Sequence, residues 1–451
     1  METTYDVIVV GGGVIGSALL YTLSNFTDVK SVLLLEKGWI GAGSSSSDSN
    51  SQTLHIGDIE TNYSTEKIIE TGTAARLILK YGKTLKGEEK ERTIQPVQKM
   101  VLGVGDEEVE LIEKRYDRRF IELFPHIKTM GRAEIGKVEP MVVKGRAADE
   151  KIIAAYSKDG HMVDFGRLAN SFIANSSKDG IKVSIGEEVV SIKKRDYGYV
   201  VKTNKSEHCG RFVVFAAGGY SLYFAKSLGY GKDLSLLSVG GNFYYSRKVI
   251  RGKVYRVQKG SVPFAAVHAD VDINRKNITR YGPTVNVVPY LEKSDYESAY
   301  KYLKAMGLDK ETASSLINIT EDKDIQRILE SNLVYSVPEL GKYFFLKEEV
   351  NKIVPTLKYG DLEFFSQGGG IRPQIIDKRK RKLVLGVVDL GGEGIEFCMA
   401  PSPGASACLK EGLRYALSAT KYLDLDFNKG RYYKMFCDNE REYRILTKPS
   451  Y

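Results

Sequence analysis

Residues 4–26, TYDVIVVGGGVIGSALLYTLSNF, constrain the fold more than any other stretch. Tyr5–Val10 is a short apolar, β-branched run suited to a buried strand, and Gly11-Gly12-Gly13-Val14-Ile15-Gly16 follows it directly. Ser17–Leu23 then reads as a helix, and Val32–Leu35 reads as a second buried strand that ends at Glu36. Gly11 permits a tight turn, Gly13 lets the backbone approach a pyrophosphate, and Gly16 lets the helix pack close to the sheet. The helix N-terminus offers free N–H groups to phosphate charge. Glu36, about twenty residues beyond the last glycine, can accept hydrogen bonds from ribose hydroxyls. Strand, glycine turn, helix, strand and terminal acid together predict a dinucleotide-binding βαβ unit. Val7–Phe26 is also uncharged and long enough to cross a membrane. Its glycines cluster where a strand should turn into a helix, and no positively charged leader precedes it, which disfavours a span or a signal peptide.

The continuation separates FAD from NAD. After Glu36-Lys37 come residues 38–47, GWIGAGSSSS, and then residues 49–63, SNSQTLHIGDIETNY. An NAD unit would proceed to another βα pair. A long polar loop here suits the pyrophosphate and ribityl chain of a flavin. The expected FAD contacts in this region are Gly11, Gly13, Val14, Ile15, Gly16, Glu36, Lys37, Ser49, Asn50, Ser51 and Gln52. Val183–Ile192 and Tyr197–Thr203 read as a hairpin that brings in Val189, and RFVVFAAGG at 211–219 reads as a buried strand ending in Ala217 and Gly218. GGEGIEFCMAPSPGASACL at 391–409 reads as strand, turn and helix, and adds Gly394, Ile395, Pro403, Gly404, Ala405 and Ser406. A helix start there can aim its N–H groups at the flavin edge that becomes negative on reduction.

These elements predict an α/β fold. A Rossmann-like FAD-binding domain of the glutathione-reductase or D-amino-acid-oxidase type is joined to a mixed α+β substrate domain with an antiparallel sheet. The FAD domain is expected to be discontinuous, from residues 1–75, 150–235 and 360–425, with 76–149 and 236–359 forming the substrate domain. Ser64–Lys83, Glu107–Phe120 and Phe165–Ser176 read as helices, and Val239–Tyr245, Ala265–Ile273 and Arg280–Val288 as antiparallel strands. Residues 426–451 form a basic, aromatic tail that suits either a membrane headgroup layer or packing on the FAD domain.

Composition narrows the class. The 451 residues carry a formal net charge of +9, which suits anionic partners, and no nucleic-acid-binding signature appears. The four cysteines form no CxxC pair, which favours a reducing, intracellular compartment. No His/Cys cluster has metal-ligand spacing, so no metal is expected. Lys378–Lys382 is a run of five basic residues in a hairpin turn, either a solvated tip or a membrane or partner contact.

The blocks VIVVGGGVIGSALL, SNSQTLHIGDIETNY, QKMVLGVGD, MVDFGRL, VHADVDI, TRYGPTV, GGIRPQ and MAPSPGASACL carry a resemblance. In this order, over about nine-tenths of the chain, they resemble the malate:quinone oxidoreductases, in particular the compact epsilonproteobacterial type. The resemblance implies FAD-dependent oxidation of L-malate to oxaloacetate and electron transfer to a membrane quinone. It also implies peripheral attachment at the cytoplasmic face of the membrane. L-Lactate and L-2-hydroxyglutarate dehydrogenases share the HxG-like loop and the APSP block, so the same chemistry on those acids is the alternative. A non-redox protein using FAD as a scaffold is disfavoured by the His/Arg/Asp set in the substrate blocks.

Oxidising a 2-hydroxy acid requires a base for the hydroxyl proton and cations for the carboxylates. His268 and His55 are both candidates for the base, because imidazole titrates near working pH. His268, Asp270 and Asp272 would share one face of a strand, with Asp270 cast as the group that orients His268 and raises its basicity. Arg280 and Arg372 are expected to pair with the carboxylates, and Tyr244 and Tyr281 to line the pocket.

Overall fold

The computed structural model describes residues 4–46, 48–258, 266–293, 295–323, 325–326, 330, 334, 337–365, 368–384, 387–399 and 404–448. Thr4–Val10 is the central strand of an eight-stranded sheet, with Val7, Ile8 and Val9 fully buried. It pairs in parallel with Val32–Glu36 on one side and Glu207–Phe215 on the other. Ile181–Ile185 and Ile395–Met399 extend the parallel core outward. Val388–Gly392 closes one edge antiparallel, and the hairpin Val189–Arg195 with Gly198–Thr203 runs beside Glu207–Phe215. The expected strand at 183–192 is therefore two strands with different neighbours. The helix Val14–Phe26 covers this sheet and meets Cys408–Leu423 so closely that a Cβ on Gly412 would lie 2.9 Å from the Ala18 carbonyl oxygen.

A second eight-stranded sheet runs in the order Glu363–Phe365, Phe243–Arg247, Ile278–Gly282, His268–Val271, Lys253–Arg256, Ile94–Val104, Ile152–Val163 and Ile127–Gly131. All its pairings are antiparallel except that between Lys253–Arg256 and Ile94–Val104. A smaller sheet joins Asn286–Val287, Leu234–Gly240, Ile371–Asp377 and Lys382–Leu383. The stretch expected as one strand at 239–245 thus breaks between two sheets at Gly241-Asn242. Helix Thr65–Gly82 starts where expected, with Ser64 Oγ accepting from the Lys67 amide. The helix expected at 107–120 is two, Asp106–Arg115 and Arg118–Leu123, because Asp117 caps a fresh start.

Strand pairing moves the expected boundaries. Ile152–Val163 pairs inside the second sheet, so the middle contribution to the first sheet starts at Ile181 rather than near 150. Its last contribution is Val388–Met399, and residues 363–377 pair elsewhere.

The tail packs onto the helices beside the first sheet, one of its two expected settings. Lys429–Phe436 and Glu440–Thr447 are helices, and Tyr432, Phe436 and Leu446 are fully buried. The Tyr432 ring meets Phe26 edge-on at 5.1 Å between centroids. Among the described residues no helix is long and apolar enough to cross a membrane. Tyr432→Ala should cost about 3–5 kcal/mol of stability, whereas Arg441→Ala on the exposed side should leave the urea midpoint unchanged. Equal midpoints for both variants would show that the tail contributes nothing to the core.

Candidate active site

A cavity of about 680 Å³ opens at the carboxyl ends of the parallel strands. Gly11, Gly13, Val14 and Ile15 line it from the first turn, Glu36 and Lys37 from the end of the second strand, and Ser49 from the polar loop. Val189, Ala217, Gly218 and Ala405 complete the expected residues that line it. The turn is built for close approach. Gly11 has φ +107°, and a Cβ there would stand 2.5 Å from the Ala216 carbonyl oxygen. Glu36 fixes the loop through two backbone amides, accepting from Gly12 and Gly38, each at 2.7 Å. Gly13, the N-cap, offers no side chain of its own, and the Val14 N–H donates to Ser45 Oγ at 3.0 Å, so this loop serine shares the helix start with any bound anion. Main-chain donors at a helix start, an acid at the strand end and the elongated cavity between them fit FAD.

Several expected contacts do other work. Gly16 does not line the cavity, because a Cβ there would overlap Gly11 at 1.9 Å from its carbonyl oxygen: it sets helix-to-turn packing. Asn50, Ser51 and Gln52 also stand back from the cavity and dock the polar loop onto the second sheet. Asn50 Nδ2 donates to the Ser46 carbonyl, and Asn50 Oδ1 accepts from the Gln52 amide. The Ser51 carbonyl accepts from Lys253 Nζ at 3.1 Å. Gln52 donates to Asp272 at 3.2 Å and accepts from the Ile273 amide at 2.9 Å. Ser406 Oγ accepts from the His55 amide at 2.9 Å, and Gly404 lies buried in the same turn without lining the cavity. Gly394 and Ile395 are at the wrong end of their strand: Ile395 pairs with Val213, two residues before Phe215, and a Cβ on Gly394 would strike Tyr422. Pro403 lies outside the described residues.

The second sheet carries a row of buried charges. Arg280, Asp270, Lys253 and Lys99 stand opposite one another on successive strands. Lys253 Nζ lies 2.8 Å from Asp270 Oδ2, and Arg280 Nε lies 3.3 Å from Asp270 Oδ1 and 3.5 Å from Asp272 Oδ2. Lys99 pairs with Asp58, whose other oxygen is 2.9 Å from His126 Nε2. Burial alone would raise the Asp270 carboxyl, but Arg280 and Lys253 hold it well below the ordinary carboxylate range. Asp58 is likewise pushed up by burial and pulled further down by Lys99 and His126. Arg280 is thus neutralised by two aspartates and fully buried, which corrects its expected role as a substrate anchor.

Tyr281 and Tyr244 face the other way. They stand opposite each other on neighbouring strands, in the apolar core behind the sheet, with the Tyr244 ring stacked on Phe345 at 5.1 Å. They do not line the cavity.

The two histidines differ in setting. His268 is 1% exposed, stacked on Tyr255 at 4.7 Å and edged by Phe243 at 6.3 Å. Its Nδ1 donates to the Ala266 carbonyl at 3.0 Å, which fixes the ring. Nε2 lies 3.4 Å from Asp270 Oδ2 and makes no hydrogen bond. Asp270 is therefore not the group that orients His268. Its upward pull on the imidazole is outweighed by burial, which lowers the pKa. His55, with 14% of its side chain exposed, has Glu60 Oε1 at 2.7 Å from Nδ1, and its Nε2 is 3.4 Å from Ser51 Oγ. Neither histidine is among the residues lining the cavity, although Ser49 and Ala405, near the His55 loop, are.

Arg372 sits between Ile371 and Pro373, which both line the cavity, but on this strand it points to the other face and is not itself a lining residue. It is half-buried, burial lowers its pKa, and among the described residues no carboxylate pairs with it. Sequence reasoning missed Lys293, a cavity-lining cation whose Nζ is 3.1 Å from Asn242 Oδ1 and whose pKa burial also lowers. It also missed Glu60, Lys253 and Lys99. The two lysines were findable as cations inside apolar strands, where burial demands a partner.

A family model described as malate:quinone oxidoreductase matches residues 3–417. The chain belongs to the malate:quinone oxidoreductase family. It is 38% identical to a probable malate:quinone oxidoreductase of Campylobacter jejuni, over 96% of this chain and 98% of that one. It is also 38% identical to a malate:quinone oxidoreductase of Helicobacter pylori strain J99, over 98% of this chain and 100% of that one. The fold is shared with glycine oxidase from Geobacillus kaustophilus, at TM-score 0.64 and 18% identity, covering 93% of this chain and 95% of that chain. It is shared too with FAD-bound L-α-glycerophosphate oxidase from Mycoplasma pneumoniae, at TM-score 0.65 and 18% identity, covering 95% and 96%. This member of the family is thus an FAD-dependent oxidoreductase with the Rossmann-like flavoprotein fold expected from its first strand.

Asp270→Asn should cost about 3–5 kcal/mol, because Lys253 and Arg280 would lose their buried counter-charge. The pKa values of Asp270 and Asp58 are lower folded than unfolded, so both carboxylates stabilise the fold above the unfolded value near pH 4. That contribution is lost as pH falls below it. The wild-type denaturation midpoint should drop steeply in acid and that of Asp270→Asn less steeply. Parallel profiles would show that Asp270 is not linked to stability.

Proposed function

We propose that this chain oxidises L-malate to oxaloacetate beside the cavity, on the side where Lys293 lines it, and passes the electrons to a membrane quinone. FAD supplies the hydride acceptor for C2 of the substrate and the route onward to the quinone. The observation that carries the dicarboxylate reading is a pair of cations with no carboxylate partner among the described residues. Arg372 and Lys293 both flank the Gly241-Asn242 turn: a Cβ on Gly241 would lie 3.4 Å from Arg372 Nη1, and Lys293 donates to Asn242. Two desolvated cations suit two carboxylates, one of them bidentate on the guanidinium. L-Lactate offers only one carboxylate and L-2-hydroxyglutarate a longer spacing.

His55 takes the proton from the C2 hydroxyl at Nε2. Glu60 accepts from Nδ1–H, which keeps Nε2 as the acceptor and stabilises the ring once it is protonated. Partial exposure supports this choice over His268, which is enclosed by two aromatic rings. In this reading the first sheet and its helices form the FAD-binding unit, and the second sheet, with the loop docked on it, forms the substrate unit. Attachment to the membrane follows from the quinone, which is lipid-soluble, and its placement at the cytoplasmic face rests on the family resemblance alone.

Anaerobic titration of the purified flavoprotein tests the substrate. L-Malate should bleach the flavin absorbance, with L-lactate and L-2-hydroxyglutarate far weaker; bleaching by lactate alone would sink the reading. Arg372→Gln should raise KM for malate about 100-fold, the loss of a charge-assisted pair. His55→Gln should lower kcat by about 10²–10⁴ at unchanged flavin content, with a far smaller loss for His268→Gln. The reverse ranking of the two histidine variants would return the base to His268.

A further inference from the structure

The basic run Lys378–Lys382 is unused by the chemistry above. It forms the tip of the hairpin between Ile371–Asp377 and Lys382–Leu383. Arg379 and Lys380 have 81% and 79% of their side chains exposed, and Arg381 and Lys382 are exposed too. Their acidic neighbours are distant partners: Asp233 is 3.6 Å from Arg379, and Asp377 is 3.6 Å from Lys380.

The tip is braced against helix Lys310–Thr320. Lys378, which turns inward, donates to Asp309 at 2.6 Å, and Asn318 Nδ2 donates to the Arg381 carbonyl at 3.2 Å. That helix satisfies its core through Ile319 and Leu316, packed with Ile376 and Leu383 of the hairpin. Ile317 nevertheless points out at 63% exposure, one residue from the Asn318 bond, and Leu308 is 67% exposed beside Asp309.

Four exposed cations beside the outward aliphatics Leu308 and Ile317 match one surface chemistry: the cations suit anionic headgroups and the aliphatics suit the acyl boundary. We propose that the 378–382 hairpin tip, with Leu308 and Ile317, is the surface on which this protein docks to an anionic phospholipid bilayer. This rests on the quinone reading above and adds the place of contact. Strand Ile371–Asp377 links the two sites, with Arg372 at the cavity end and the tip roughly 20 Å away at the other.

The test uses the full-length FAD-loaded enzyme and vesicles of phosphatidylcholine with or without phosphatidylglycerol. The wild type should co-sediment with the phosphatidylglycerol vesicles, less so in high salt, and hardly with phosphatidylcholine alone. Combined Arg379→Ser, Lys380→Ser and Lys382→Ser should weaken that binding about 100-fold, and Leu308→Ser with Ile317→Ser should weaken it several-fold. All variants should keep wild-type malate-driven reduction of a soluble dye, which reports an intact fold, while reduction of a long-chain quinone embedded in the vesicles falls. Wild-type sedimentation by the triple variant, or equal wild-type binding to both vesicle types, would overturn the docking surface and leave the malate:quinone reading standing. A wild type that sediments and reduces the dye, yet never the embedded quinone, would instead overturn that reading.

Discussion

The buried carboxylate of Asp270 holds the substrate side together. It faces Lys253 on one neighbouring strand and Arg280 on the other, and both cations also reach the polar loop. Lys253 donates to the Ser51 carbonyl and Arg280 to the Asn50 carbonyl. Asp272 adds the Gln52 amide, and Lys99 takes Asp58 from further along the same loop. A hydrophobic clasp of the same volume would often be as stable. It would not fix direction. Charged groups with few acceptors in reach fix the loop's register between the two sheets. Ser49 is then delivered to the cavity, and the His55–Glu60 pair lies a few residues beyond it.

Legibility followed local physics. The glycine turn, Glu36 and the Ala217-Gly218 corner were readable because each is demanded by a short backbone event. The basic hairpin and the Ser64 cap were readable for the same reason. Assignments that depend on which face of a strand a side chain occupies fared worse. Arg280 and Tyr281 are adjacent in one strand and must point to opposite faces, so both could not line one pocket. Tyr244 stands opposite Tyr281 and shares its apolar face. Polar residues of the 49–52 loop looked like cofactor ligands because polarity was the only signal. Their partners, Lys253, Asp272 and Ile273, lie some two hundred residues away. Glu60 escaped notice because no helix or strand period links it to His55.

The same reasoning reassigns the aromatic tail. Tyr432 and Phe436 fill space beside Phe26, so aromatic richness there reflects packing. Exposed apolar side chains occur instead on Ser298–Met306, Lys310–Thr320 and Pro338–Phe345. Outward hydrophobicity beyond what packing requires is more informative than aromatic content.

The first sheet assembles strands from residues 4–36, 181–215 and 388–399. Its central strand leaves the ribosome long before its partners, since one flank waits for Glu207–Phe215 and the outer parallel neighbour for Ile395–Met399. The glycine turn can form early, but the pocket around it cannot close until nearly the whole chain has emerged. During that interval the apolar faces of Thr4–Val10 and Val32–Glu36 lack most of their cover, the condition under which nascent chains aggregate or recruit chaperones. Cofactor capture therefore waits until segments nearly four hundred residues apart, Thr4–Val10 and Ile395–Met399, have come together in one sheet.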